Sequence, residues 1–293
     1  MACNSPLNIE SNKASRCESK CIFMFNYTGN SHCVVDNKTT SLSITYDGTG
    51  DIVFNGGTYL PTKMLLFKPS LHAFNGSRAD AEVVIQHKAT SSSALMLVCI
   101  PITSAAPVTM ATGILSTIIE TLVPDEPTTT VNINNFNAKF LIPTSSYYSY
   151  VGNDISTGQC DPNSTAQMVV FHKRDGAIFL EQTTLDALSQ LIQDTNAEAV
   201  EAAEGQLSVN IKGTKSNGFA GEGQIYIDCQ PTGVSEETII YDDSAAPTKS
   251  SAQTNQMILI LAGICIFLVL YFVFEYLATL FSAKPVVAEI IKQ

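Results

Sequence analysis

The sequence predicts a mainly β (α+β) fold: a single domain built on one large sheet with short helices, followed by one C-terminal transmembrane helix. Three observations predict it. Short apolar or alternating runs bounded by Gly, Asn, Asp or Pro recur along residues 1–240, the pattern of strands between polar turns. Only two stretches carry a helical period. Near the C-terminus, Met257 to Phe274 reads "MILILAGICIFLVLYFVF", 18 residues without a charge. At 293 residues with 45% hydrophobic content, the chain can bury one sizeable core, and a charged fraction of 15% with no tryptophan excludes a disordered class.

Taken in order, the strand-like runs are "CIFMFNY", "SLSITY", "DIVF", "AEVVIQH", "LMLVCIPI", "AKFLIP", "AQMVVFH", "QLSVNI" and "GQIYIDC". A first helix is expected over about 107–122, where Met110, Ile114, Ile118 and Leu122 repeat every four positions. A second is expected from about Leu180 to Ala203, with Leu185, Leu188 and Ile192 as its buried stripe and Asp186, Asp194, Glu198, Glu201 and Glu204 on a solvated face. Residues 241–256, "YDDSAAPTKSSAQTNQ", have no hydrophobic period and read as a flexible linker. The apolar run over 257–280 is long enough to span a bilayer core, which needs roughly 20 residues, and 281–293 form a short tail.

The start "MACNSPLNIE" has no apolar segment of the kind that opens a secretory signal. With about ten residues after the span, the expectation is a tail-anchored protein whose residues 1–250 stay on the cytosolic side. Lys249, Lys284 and Lys292 are too few to orient it by charge. Four glycosylation sequons, at Asn26, Asn37, Asn75 and Asn163, do not decide it either, because an Asn- and Thr-rich chain forms them by chance.

Several segments, in order, resemble the α-carbonic anhydrases. "NSPLNI" at 4–9 is similar to their N-terminal signature, and "FNGGTYLP" to the segment leading into their metal strand. "AEVVIQHK" resembles the second metal strand, "NNFNAKFLIPTSSYYSYVGN" the segment before the active-site threonine, and "AQMVVFHKRDGAIFLEQTTLDAL" the strand and helix after it. The resemblance covers about residues 3–230 and implies a domain around a large, twisted central sheet. It also implies a zinc held by two histidines spaced i, i+2 on one strand and a third on its neighbour, with an open position for water.

Placed on "LLFKPSLHAFNGSRADAEVVIQHK", the first two ligand positions fall on Lys68 and Ser70 and the third on Val84, none of them histidine. The acid that orients the family's threonine falls near Leu71, and Ser156 or Thr157 keeps the hydroxyl. The expectation is a domain without metal or other cofactor and without catalysis, since zinc is what brings the pKa of bound water to about 7. His72 and His87 match histidines that the family uses structurally, and His32 and His172 lie in no ligand pattern. Cys3 and Cys160 resemble the disulfide pair of the family's extracellular members, while Cys17, Cys21 and Cys33 could form a small cluster of their own.

A metal-free domain of this kind on a C-terminal anchor also resembles the poxvirus envelope proteins that bind chondroitin sulfate. That implies a virion membrane protein, internal or in the envelope, passing through host endomembranes during assembly. Its expected partners are membrane lipid through 257–280 and capsid or other virion proteins, with no nucleic acid. A host glycan or receptor is the alternative partner, and an active carbonic anhydrase a further alternative. Residues 1–250 hold 14 basic and 25 acidic side chains, two fewer of each than the whole chain. The average field therefore opposes a sulfated polyanion, although Lys63 and Lys68 mark a local basic patch.

Overall fold

The computed structural model describes residues 3–214, apart from 18–19, 46–48 and 106–108. The linker 241–256, the apolar run 257–280, the tail 281–293 and the strand expected at "GQIYIDC" lie outside the described residues. Among the described residues no helix is long and apolar enough to cross a membrane.

The expected large sheet is present, with 13 strands. From one edge ten of them run Thr128–Phe136, Asn30–Asn37, Ser41–Thr45, Gly57–Phe67, Ala81–Ala89, Leu95–Ser104, Asp161–Phe171, Tyr147–Asp154, Ser208–Asn210 and Ser15–Arg16, and Phe23–Tyr27, Gly50–Phe54 and Ile178–Leu180 pair off this path. Most neighbours are antiparallel, but Leu95–Ser104 runs parallel to Asp161–Phe171. A four-stranded sheet joins Val200–Glu201, Leu7–Ile9, Ala73–Phe74 and Ser77–Arg78.

Burial along Gly57–Phe67 shows how the sheet is used. Its first half alternates between half-buried and exposed positions, and from Met64 to Phe67 every side chain is buried. Successive side chains point to opposite faces, so Met64 and Leu66 enter one apolar core while Leu65 and Phe67 enter the other. The first core is closed by the two helices, through Ile114, Ile118, Leu185 and Leu188. The second lies on the opposite face, against Leu7, Ile9 and Phe74 of the smaller sheet.

Three local expectations change. The first helix, Met110–Thr121, buries Ala111, Ile114, Leu115, Ile118 and Ile119 and leaves Met110 60% exposed. Thr109 caps it through a reciprocal bond pair with Thr112, so Met110 is the first helical residue, while Ile114 and Ile118 of the expected stripe are buried and Leu122 is the C-cap. The second helix, Gln182–Leu191, stops well before Ala203. There the amides of Gln193 and Thr195 bond to the carbonyls of Thr39 and Lys68 and not back into the helix. Asp194, Glu198, Glu201 and Glu204 thus leave the helical face, and Glu201 joins a strand and pairs with Lys13 at 2.5 Å. Finally, "AKFLIP" forms the 3-10 turn Ala138–Leu141, capped by the Asn137 side chain on the Lys139 amide.

Candidate functional site

The strands Gly57–Phe67 and Ala81–Ala89 pair antiparallel, with Val84 opposite Leu65. Side chains on one face of a strand are two residues apart, so the i, i+2 pair sharing a face with Val84 is Leu65 and Phe67. All three belong to the second core and are at most 3% exposed.

Lys68 and Ser70 do not join Val84, which corrects the placement read from the sequence. The strand ends at Phe67, and beyond it the chain turns away. The Lys68 ammonium instead meets Asp194 Oδ1 at 2.7 Å. Ser70 Oγ is buried, donates to the His72 carbonyl at 2.6 Å and accepts from the Ala79 amide at 2.8 Å. Proline, glycine and hydrogen-bonding side chains in "KPSLHAFNG" tie this segment as a turn, so its i, i+2 spacing carries no shared face. A phase read from the last strand residue would have selected Leu65 and Phe67.

Zinc, which the resemblance implies, does not fit at Leu65, Phe67 and Val84, because these side chains offer no nitrogen, oxygen or sulfur. Phe67 also fills space. A Cβ added to Gly158 would lie 2.9 Å from Phe67 Cε1, so the ring presses against the turn after Ile155. Gly158 has φ +81°, a conformation glycine adopts without penalty. Leu71, at the position of the orienting acid, is fully buried and apolar.

Of the two hydroxyl candidates, Ser156 is buried and bonded to the strand that carries Val84, and Thr157 is exposed. Ser156 is 6% exposed. Its Oγ donates to Asp154 Oδ2 at 3.1 Å and accepts from Gln86 Nε2 at 3.2 Å, and its amide donates to Asp154 Oδ1 at 2.8 Å. Thr157 is exposed and donates to the Gln159 carbonyl. The same loop is held by the Cys3–Cys160 disulfide, the pairing that the resemblance implied. Of the other cysteines, Cys17 pairs with Cys21, and Cys33 is left free and buried.

A second buried constellation was not singled out from the sequence. Glu82 is 0% exposed. Its Oε2 accepts from the amides of Leu71 at 2.6 Å and His72 at 3.0 Å, and its Oε1 meets His72 Nδ1 at 2.7 Å. His72 Nε2 meets the Tyr150 hydroxyl at 2.7 Å. Burial pushes the Tyr150 phenol well above its ordinary range, with smaller contributions from the neighbouring Cys99 and Glu82. Burial likewise raises the Cys99 thiol, helped by the Glu82 charge. The sequence signal was a lone carboxylate inside the apolar run "AEVVIQH", since a charge on a buried strand needs partners.

One nitrogen of His72, one Glu82 oxygen and Cys99 Sγ lie within 4.8 Å of one another. Both His72 nitrogens and both Glu82 oxygens are already in hydrogen bonds. A metal would therefore have to break a satisfied buried network, and its geometry fits a structural strut better than a ligand set. The other matched histidine, His87, sits on the opposite side of the sheet, with Nε2 at 2.7 Å from the Tyr27 hydroxyl. Burial pulls its pKa down to about 4.

No family model and no curated protein matches the chain. Among solved structures it is similar to dioscorin complexed with ascorbate, with a TM-score of 0.59 at 17% identity over 72% of this chain and 86% of that one. It is also similar to the carbonic anhydrase Cah3 of Chlamydomonas reinhardtii, with a TM-score of 0.58 at 18% identity over 71% and 91%. The fungal α-carbonic anhydrase of Aspergillus oryzae gives 0.57 at 15% identity over 70% and 84%. At these identities the likeness is one of fold: a sheet-rich, α-carbonic anhydrase-like architecture.

Proposed function

We propose that this chain is a non-catalytic, membrane-anchored structural protein of a virion, in which a carbonic anhydrase-like domain without zinc links the viral membrane to capsid proteins. The observation that supports the loss of catalysis is the apolar packing of Leu65, Phe67 and Val84, the face on which the resemblance implies the metal. Without a donor there is no metal-bound hydroxide, and Ser156 and Asp154 have no nucleophile to orient. The anchor is the run 257–280, and the linker 241–256 gives the domain a reach of about 20–24 Å as a loose chain. Confinement to that distance raises the local concentration of the domain near its partner, so individually weak contacts suffice.

The test has two parts. Metal analysis of the purified domain should find no stoichiometric zinc, with carbon dioxide hydration at background; one tightly held zinc per chain would overturn the non-catalytic assignment. Cross-linking of gently permeabilised particles should join residues 1–240 to capsid protein, and failure of that link would remove the structural role.

A second reading, attachment to a host receptor or glycan, is favoured by the two disulfides, which suit an exterior surface. A sulfated glycan is the less suitable ligand. Of the two lysines marking the basic patch, Lys68 is already paired with Asp194. Competition for cell binding by the soluble domain would select this second reading.

A further inference from the structure

We propose that the described domain matures on the lumenal or exterior side of its membrane and carries N-linked glycans on Asn26, Asn75 and Asn163, but not on Asn37. The proposal rests on the membrane anchor of the functional reading and departs from the cytosolic side expected for a tail anchor. Since capsid proteins assemble in the cytosol, it accords with the attachment reading and not with the capsid link.

The cysteines set the compartment. Among the described residues, Cys3, Cys17 and Cys160 retain some solvent exposure, and each is in a disulfide. The two free thiols, Cys33 and Cys99, are 1% and 0% exposed. A chain kept in a reducing cytosol has no reason to sort its thiols in this way. In an oxidising compartment an exposed thiol is paired, and a free one persists only where oxidant and partner cannot reach it. One of the disulfides closes residues 157 apart, so it forms on the folded domain and not by chance contact of neighbours.

In that compartment sugar is transferred to sequon asparagines before folding is complete, and a chain that reaches the described fold carries it only where the carboxamide nitrogen is free of structural bonds. Asn26 lies on the strand Phe23–Tyr27, exposed between the buried Phe25 and Tyr27. Asn75 is exposed in the turn between Ala73–Phe74 and Ser77–Arg78, at φ +51°. Asn163 is exposed near the start of Asp161–Phe171. None of these three carboxamides is held by a hydrogen bond within the described residues, so a glycan displaces nothing. Asn37 differs. It is half-buried, its Nδ2 donates to the Leu191 carbonyl at 2.6 Å, and its Oδ1 accepts from the Thr39 amide at 2.9 Å. That nitrogen is the atom a glycan would occupy, and the bond it makes ties the strand Asn30–Asn37 to the end of the second helix.

The experiment is expression of the full chain in eukaryotic cells, followed by digestion with a peptide N-glycosidase and mass mapping of the converted asparagines. The expected result is conversion at Asn26, Asn75 and Asn163 and none at Asn37. Each of Asn26→Gln, Asn75→Gln and Asn163→Gln should then remove one step of the electrophoretic shift, while Asn37→Gln removes none. Two results would overturn the proposal. One is a chain with Cys3 joined to Cys160 but no glycan, which places the domain on the cytosolic side beside a dedicated oxidase. The other is a folded, glycosylated fraction occupied at Asn37. Glycan mapping reads the compartment and cross-linking reads the partner, so the two fail separately, and occupied sequons would select attachment over the capsid link.

Discussion

The claim that Phe67 fills the frame of the site can be tested by a double-mutant cycle with Gly158. Removing the ring by Phe67→Ala leaves a cavity in the second core, where Phe67 is 0% exposed, and truncations of this kind cost about 3–5 kcal/mol. For a domain of this size that corresponds to a fall in Tm of roughly 6–20 °C. Gly158→Ala meets two separate penalties. Its φ of +81° disfavours any side chain by about 1–2 kcal/mol, and its new Cβ would stand 2.9 Å from the Phe67 ring, an overpacking of about 1–3 kcal/mol. In the Phe67→Ala background the second penalty disappears and the first remains. The double variant should therefore be more stable than the sum of the single changes by about 1–3 kcal/mol, read from urea melts of the four proteins. Additivity within about 0.5 kcal/mol would mean that ring and turn do not touch, and the account of how the site is closed would fail.

Histidines placed together at Leu65, Phe67 and Val84 should bind one zinc per chain by metal analysis, whereas histidines at Lys68, Ser70 and Val84 should bind none; the reverse result would restore the placement read from the sequence. His87 should make the domain acid-sensitive. Its pKa falls from 6.5 to about 4 on folding through burial, so its neutral form stabilises the fold fully above pH 6.5, and that contribution, about 3 kcal/mol at most, is lost as pH falls from 6.5 to 4. His87→Gln should flatten the urea midpoint across that window, and an unchanged slope would assign the acid sensitivity elsewhere. Replacing Cys3 and Cys160 by serine frees a loop of 157 residues in the unfolded chain and should destabilise by about 5 kcal/mol on chain-entropy grounds. A loss under about 1 kcal/mol would show that the bond does not constrain the unfolded chain as that account requires.

The sequence alone determined the fold class and most of the sheet, because alternating apolar residues between turn formers are a local signal that needs no tertiary partner. "AEVVIQH" and "AQMVVFH" form strands as read. It also showed that the two paired strands carry no histidine at the i, i+2 spacing, since His72 lies past the first strand and His87 near the end of the second. Where a segment's backbone bonds elsewhere, local reading failed. The second helix ends when Thr39 and Lys68 capture the amides of Gln193 and Thr195, and "AKFLIP" turns because Asn137 caps it. Only the tertiary structure decided which residues share a face with Val84, because that depends on where the strand stops and how its neighbour registers. Only it showed that Glu82 finds His72 and two backbone amides, and that of four sequon asparagines Asn37 alone has its carboxamide bonded within the described residues. Pattern along the chain fixes periodicity, whereas register, burial and the partner of each polar group are set by contacts between residues far apart in sequence.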